Sequence, residues 1–319
     1  MKMMTAHIIF PEYEGLPKVQ LYKPSGVRIE SSWQRLTDRA IIVLPRNVKD
    51  FDKQKVRDIF LTGRPVEIHL GYNGNNIREF KGYITKVSAD IPVKIHCEDE
   101  MYRLKNIPVH FSTPSINLQD LIKKILPGYK ADVESWTMPP QRYVHTTAAK
   151  VLAFLKKEYN LYSYFKDDTL VVGKIYSDDS GNDPVELILE KNVRENRLEY
   201  RRKDDVKIKI KAVSTLRNGN KLEAVYGDND GAEKQLAFYG IEVKAELEKQ
   251  AKRAYDMYKK DGFDGSLSLF GRPFVRHGMK VRLKSYLYPD RDGTYYVDET
   301  IVTFDEGGYK REVKLGNRL

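Results

Sequence analysis

Apolar residues recur at period two near both ends of this chain and at a period near 3.6 between them, and that switch constrains the fold more than any other feature. Gln20 to Ile29, Arg39 to Leu44, Pro65 to Tyr72, Glu79 to Ser88 and Val93 to Glu98 read as strands, rich in β-branched or aromatic residues. Gly, Asn and Pro lie between several of them. Tyr72-Asn73-Gly74-Asn75-Asn76 holds the Asn-Gly step that tolerates positive φ, which predicts a hairpin. Five short strands with few helices predict a small β-barrel.

From about Asn106 the helical period takes over. Leu118, Leu121, Ile122 and Ile125 share one face, Asn117 stands at the N-cap and Pro127-Gly128 ends the run. A second helix begins at Thr146 or Thr147 and carries Ala148, Val151, Leu152, Leu155 and Tyr159 on its apolar side. Tyr162 to Phe165 and Thr169 to Ile175 complete a small α/β unit, and the acidic stretch Ser177 to Pro184 reads as a loop. Then Val206-Lys207-Ile208-Lys209-Ile210-Lys211 alternates strictly, placing Val206, Ile208 and Ile210 inside and three lysines outside. Asn218-Gly219 and Asp228 to Gly231 are turns around the strands Lys221 to Tyr226 and Lys234 to Tyr239. A helix from about Val243 to Lys260 precedes strands at Gly265 to Phe270, Met279 to Ser285, Thr294 to Phe304 and Tyr309 to Leu315. The expectation is an α+β, mainly β chain: a first β-barrel over 1–105, an α/β insert over 106–190, and a second β-barrel over 191–319 with a helix near 243–260.

Composition narrows the functional classes. No purely apolar stretch is longer than Ala40 to Leu44, far short of the roughly 20 residues that cross a bilayer, so no membrane span is expected. The opening run His7 to Phe10 is cut off by Pro11, which predicts no secretory leader. A formal charge of +10 over 319 residues is a modest excess that favours an acidic partner or a polyanion at low salt. Cys97, the single cysteine, alternates with Val93 and Ile95 on one strand face, which predicts a buried, inert thiol.

Catalytic and metal motifs are missing. No G-x-x-x-x-G-K-[ST], H-E-x-x-H or G-x-S-x-G occurs, and the histidines at 7, 69, 96, 110, 145 and 277 form no i, i+4 pair. Asp228-Asn229-Asp230-Gly231 and Asp290-Arg291-Asp292-Gly293 place glycine fourth, whereas a calcium loop of the EF-hand type needs it sixth, so both read as β-turns. Carboxylate pairs spaced for glycan hydrolysis leave no sequence signature. The one charged feature singled out is a basic stripe, Arg201, Arg202, Lys207, Lys209 and Lys211, able to face a polyanion or an acidic protein surface, or to guard a sheet edge.

Two stretches carry a family resemblance. Gly63-Arg64-Pro65-Val66-Glu67-Ile68-His69-Leu70-Gly71-Tyr72, with Phe80-Lys81-Gly82-Tyr83-Ile84-Thr85 and Cys97-Glu98-Asp99-Glu100-Met101-Tyr102-Arg103-Leu104, resembles the first barrel of contractile-tail baseplate hub proteins. Phe270-Gly271-Arg272-Pro273, His277-Gly278-Met279-Lys280-Val281, Tyr295-Tyr296-Val297-Asp298-Glu299 and Gly307-Gly308-Tyr309 resemble the closing barrel of the same group, which includes phage late control protein D, the myophage central hub and the N-terminal part of VgrG. The resemblance implies a non-enzymatic homotrimer without cofactors, whose two barrels per chain make a six-position ring between a sixfold tail tube and a threefold spike. It implies the tube, the spike and other baseplate proteins as partners, nucleic acid only in transit through the lumen, and a virion tail or baseplate location after assembly in a bacterial host's cytoplasm. The chain stops at Leu319 without a β-helical needle or an appended lysozyme segment, so the needle is expected to be a separate protein. The residues alone leave two alternatives open: a nucleic-acid-binding β-barrel protein, from the lysine stripe, and a tail-associated peptidoglycan hydrolase, from unseen carboxylate pairs.

Overall fold

Strands form where the period-two runs predict them, and turn residues set their registers. The structure, a computed structural model, describes residues 2–45, 56, 58–176, 183–289 and 292–319. Most of the acidic loop from Ser177, and Asp290-Arg291 of the second acidic turn, lie outside the described residues. The first region contains β1 (Met4–Phe10), β2 (Val19–Leu21), β3 (Gly26–Ser32), β4 (Arg39–Val43), β5 (Pro65–Tyr72), β6 (Asn75–Val87) and β7 (Lys94–Glu98). Asn73 and Gly74, at φ of 53° and 82°, make the β5–β6 hairpin as the Asn-Gly step requires. The strand expected over Gln20 to Ile29 is in fact two. Pro24 has no N–H for a ladder, so β2 pairs β1 while β3 starts afresh beside β4.

The middle region contains β8 (Pro108–Thr113), β9 (Ile116–Asn117), β10 (Lys130–Val133), β11 (Thr137–Met138), β12 (Gln141–Thr147), β13 (Ser163–Lys166) and β14 (Thr169–Val172). Its helices Leu118–Ile125 and Ala148–Tyr159 are capped by Asn117 and Thr147, whose side chains accept from Gln119 N–H and Lys150 N–H. The last region holds β15 (Val185–Ile188), β16 (Val193–Arg201), β17 (Ile208–Thr215), β18 (Lys221–Gly227), β19 (Ala232–Tyr239), the helix Lys244–Tyr258, β20 (Gly262–Phe270), β21 (Lys280–Lys284), β22 (Gly293–Asp305) and β23 (Gly308–Arg318).

One large sheet unites the two ends of the chain, in the order β16-β20-β23-β22-β3-β4-β7-β6-β5-β1-β2, with β15–β21 attached to β22. Its seam is the β22–β3 ladder, where Thr300 opposes Ser31 and Val302 opposes Ile29. Four strands of the second region thus continue into four of the first. One core lies inside the first set, built on Ile8, Ile42, Ile68 and Ile95, and another inside the second, built on Leu187, Leu267, Val297 and Val313. Fully buried Arg64 fastens the first set. Its guanidinium donates to the carbonyls of Ile59, Pro11, Phe10 and Pro17.

Two α-containing units leave the sheet at one end. The first follows Glu98 of β7 and encloses its own core around Leu121, Leu152 and Leu155. The second follows Arg201 of β16: β17 lies between β18 and β19, antiparallel to one and parallel to the other, and the helix Lys244–Tyr258 covers the sheet. Both exits share an end, because Arg201 opposes Gly262, Arg318 opposes Tyr295, Glu299 opposes Ser32, and Arg39 opposes both Glu30 and Glu98. Trp136 of the first unit stacks on Phe238 of the second at 5.1 Å. No helix among the described residues is long and apolar enough to cross a membrane.

Candidate assembly surface and its junction

Two buried networks and a half-buried third lock the two strand blocks and the first α-containing unit together. At the first, Arg311 of β23 pairs with Glu79 of β6 at 2.5 Å, while also donating to the carbonyls of Val275 and Gly271. Tyr309 OH donates to the same carboxylate at 2.5 Å, and burial raises that phenol's pKa. Such a pair adds little net stability against an apolar substitute, but removing one partner strands a buried charge.

At the second, Ser31 Oγ donates to Asp38 Oδ2 at 2.6 Å and lies 2.6 Å from His277 Nδ1. Ser31 has one proton, and it points at Asp38, so Nδ1 of His277 carries its own. Arg276 reaches Asp38 at 3.3 Å, Asp99 accepts from the Asp38 N–H at 3.1 Å, and Tyr164 of the first unit stands edge-on to the imidazole. Burial pushes His277 down to about 4 and, together with the charge of Asp38, pushes Asp99 well above the usual carboxylate range. Serine, histidine and aspartate meet here, but the hydroxyl sits between the other two rather than at the end of the chain, and all three are buried. The arrangement suits a structural joint, since a nucleophilic triad needs its histidine in the middle. At the third, Asp298 accepts from Trp33 Nε1 at 2.9 Å and from Tyr176 OH at 2.5 Å, and Tyr176 stacks on Tyr296.

An outer clamp closes over this junction. The β13–β14 turn presents Asp167, 3.8 Å from Arg78 and 3.7 Å from Arg276, and Asp168, 2.9 Å from Lys81, so one turn grips both strand blocks. The cleft beside it holds about 290 Å³.

The joint leaves one continuous face of the eight strands β16-β20-β23-β22-β3-β4-β7-β6 uncovered by the chain's own cores. Alternation assigns to it Arg197, Ser266, Lys314, Glu312, Glu299, Ile301, Glu30, Arg28, Arg39, Ile41, His96 and Glu98, which line two hollows of about 230 and 410 Å³. Charges alternate in sign: Arg28 pairs with Glu30, Arg35 bridges Glu30 and Glu299, and Lys314 opposes Glu299 across the β22–β23 ladder.

The predicted basic stripe is divided between two elements. Arg201 ends β16 and pairs with Asp264 at 2.7 Å, and Arg202 is exposed just beyond it. Lys207 pairs with Asp230, and Lys211 with Glu223 at 3.0 Å, both held above the ordinary lysine range chiefly by those hydrogen bonds; half-buried Lys209 stands between them on β17. Alternation gives the side of the strand and says nothing of acids arriving from neighbouring strands. In the turn beside β17, the oxygens of Asp228 accept from Lys259, Tyr255 and the Ile208 N–H. Folding brings His7 near His69 and His110 near His145, but no cluster of three metal-ligating side chains occurs among the described residues. Cys97 is buried, and burial pushes its thiol pKa up.

Comparison with protein-family models and with curated proteins gives no match. Solved structures do match. A tail protein from Neisseria meningitidis MC58 superposes with a TM-score of 0.66 at 15% identity, covering 99% of this chain and 97% of that one. The prophage MuSo2 43 kDa tail protein from Shewanella oneidensis gives 0.61 at 16%, over 99% and 97%. An Escherichia coli component of the type VI secretion system, described as structurally similar to the T4 tail proteins gp27 and gp5, gives 0.56 at 10%, over 92% and 73%. The chain therefore has the tail hub-like fold, mainly β with a large antiparallel sheet, and the resemblance read from its sequence holds at the level of fold.

Proposed function

We propose that this chain is a structural hub subunit of a phage or prophage tail or a related contractile injection device, working as a homotrimer in the baseplate. The observation that carries the reading is the eight-strand arc made of two four-strand blocks. Three copies supply six blocks around one axis, and that is how a threefold assembly offers a sixfold tube quasi-equivalent contacts. The uncovered face becomes the wall of the lumen. Its sign-alternating charges suit a conduit through which nucleic acid or protein passes without being held.

The two ends of the arc then have different partners. At one end the two blocks bear unlike α-containing units, so only threefold matching is available, and this end meets the spike and neighbouring baseplate proteins. The other end carries strand turns such as Asp305–Gly308 among the described residues, and it meets the tube. In this reading residues 1–105, 106–190 and 191–319 are the working divisions, with 208–258 set into the last, and Arg201 and Arg202 lie at the spike-facing end. Assembly takes place in the bacterial host's cytoplasm. Light scattering coupled to size exclusion tests the proposal: the expected mass is three times the 37.0 kDa chain, alone or with the spike protein, and a monomer under both conditions overturns it.

A further inference from the structure

Most exposed large apolar residues of this chain stand singly, as Ile91, Val144 and Val243 do, and need no explanation. Tyr286, Leu287 and Tyr288 differ: they are consecutive, at 70%, 71% and 50% exposure, on the loop between β21 and β22. The backbone of Ser285, Tyr286 and Tyr288 is held by hydrogen bonds. Glu190 accepts from Ser285 Oγ at 2.5 Å and from the Tyr286 N–H at 3.1 Å, Ser285 Oγ accepts from the Tyr288 N–H at 2.9 Å, and Asp292 accepts from the Ser285 N–H at 2.9 Å. A partly exposed hydrogen-bond frame centred on Glu190 and Ser285 thus presents three apolar side chains to solvent. Rigid aromatic tips of this kind lose little entropy on docking and are the commonest anchors at protein interfaces.

We propose that the Tyr286–Tyr288 tip docks into an apolar cup on a second, threefold-repeated protein at the spike-facing end of the ring. The inference rests on the trimeric reading above. Area selects the occupant: two tyrosines and a leucine at these exposures offer roughly 400 Å², about half of the ~800 Å² per partner that a stable interface uses. One tip is therefore insufficient, whereas three tips on a ring present about 1,200 Å² to a partner of the same symmetry. Position selects against a neighbouring copy. This loop lies at the strand ends beside Gly293 and Thr294, at the end from which both α-containing units leave the sheet, rather than along a strand edge where copies of such a ring would pair. The cup is expected to be apolar, with an acceptor at its rim for the Tyr286 hydroxyl.

The test uses assembled particles carrying a photo-crosslinking p-benzoylphenylalanine in place of Leu287, with cross-linked peptides identified by mass spectrometry. The expected result is a link to one other protein, and L287E should keep the trimer by light scattering while cutting that protein's content in particles at least tenfold. Y286S is a second variant with the same expectation. Links to another copy of this chain, no links, or undiminished partner content in both variants overturn the inference while leaving the trimer intact. A monomeric wild-type chain instead marks failure of the ring reading itself, and the docking inference falls with it.

Discussion

The two α-containing units leave the same end of the same sheet, yet they are built to different standards. The unit after β7 buries nineteen residues in its own core and caps both longer helices with side chains. The unit after β16 buries five, and its helix starts at Val243 with no side-chain cap. Attachment differs as well. Tyr164, Asp167 and Asp168 tie the first unit into the junction, and Lys156 Nζ donates to the Gln34 carbonyl at 2.7 Å. The second unit's two connectors are tied by exposed bonds, Lys203 N–H to Asp261 across them and Lys260 to the Arg318 carbonyl at the sheet. The contrast teaches that the first unit belongs to the rigid frame, while the second, joined to it through the Trp136–Phe238 stack and to the sheet through exposed bonds, opens at lower cost. Local opening energies scale with burial and solvent exposure of this kind.

Amide exchange read unit by unit puts the largest effect on this contrast. Residues 208–258 should exchange through an opening well below the global one, and the helix Ala148–Tyr159 near the global limit. Leu152→Ala, at a fully buried site, should lower the first unit's opening energy by about 4 kcal/mol. Leu247→Ala, in a shallow core that relaxes easily, should lower the second unit's by about 2 kcal/mol. Equal protection of both units in the wild type would break the comparison outright.

Next in size is a pH effect confined to the frame. Neutral His277 has its pKa lowered to about 4, against an ordinary 6.5, so between those values the unfolded chain binds a proton that the folded one refuses. Stability is therefore present above about pH 6.5 and is lost as the pH falls toward 4, by on the order of 3 kcal/mol. Asp99 works in the opposite direction, because its raised pKa makes the folded state the better proton acceptor on acidification. Subtracting a His277→Gln variant isolates the histidine. The wild type should lose stability more steeply than the variant over that window, with Tyr164 and the strands around it exposed first and the 208–258 unit unaffected. Parallel pH profiles would show that the junction does not carry the difference.

What the sequence discloses follows from range. Asn117, Thr147 and Asn73-Gly74 act on backbone groups within a few residues, so caps and hairpin were legible directly. The β22–β3 seam joins residues about 270 positions apart, and Glu79 meets Arg311 across 232, with nothing local to announce either. The parallel β17–β19 pairing was equally hidden, because a turn at Asp228 to Gly231 ordinarily makes a hairpin and here passes around the start of β17. For the same reason the ion pairs of Lys207 and Lys211 had no signal in the sequence. Those acids, Asp230 and Glu223, come from the turn after β18 and from β18 itself, and the residues of the uncovered sheet face can be named only once the seam fixes which face both blocks share.

The capping difference can be reversed at a smaller scale. Thr147→Ala should cost the first unit about 1 kcal/mol, since the Lys150 N–H loses its acceptor. Val243 is exposed and already has the extended backbone of an N-cap, so Val243→Asp should add a cap and a favourable charge at the helix start. Its expected gain is about 0.5–1 kcal/mol, seen as slower exchange in Lys244–Tyr258 alone.

The smallest effect belongs to the clamp. Asp168 and Lys81 are largely solvent-exposed, and Asp167 sits nearly 4 Å from each of its two arginines, so each interaction should contribute only about 0.2–1 kcal/mol. Asp167 occupies a left-handed conformation at φ 51°, which asparagine also tolerates, so Asp167→Asn and Asp168→Asn remove charge without straining the turn. At low salt the double variant should speed exchange in β13 and β14 severalfold, and in about 1 M salt, where screening acts within about 3 Å, the difference should vanish. A salt-independent loss would mean that the turn is held by its shape, and an unchanged rate at low salt would assign the first unit's rigidity to the buried networks around His277 and Asp298 alone.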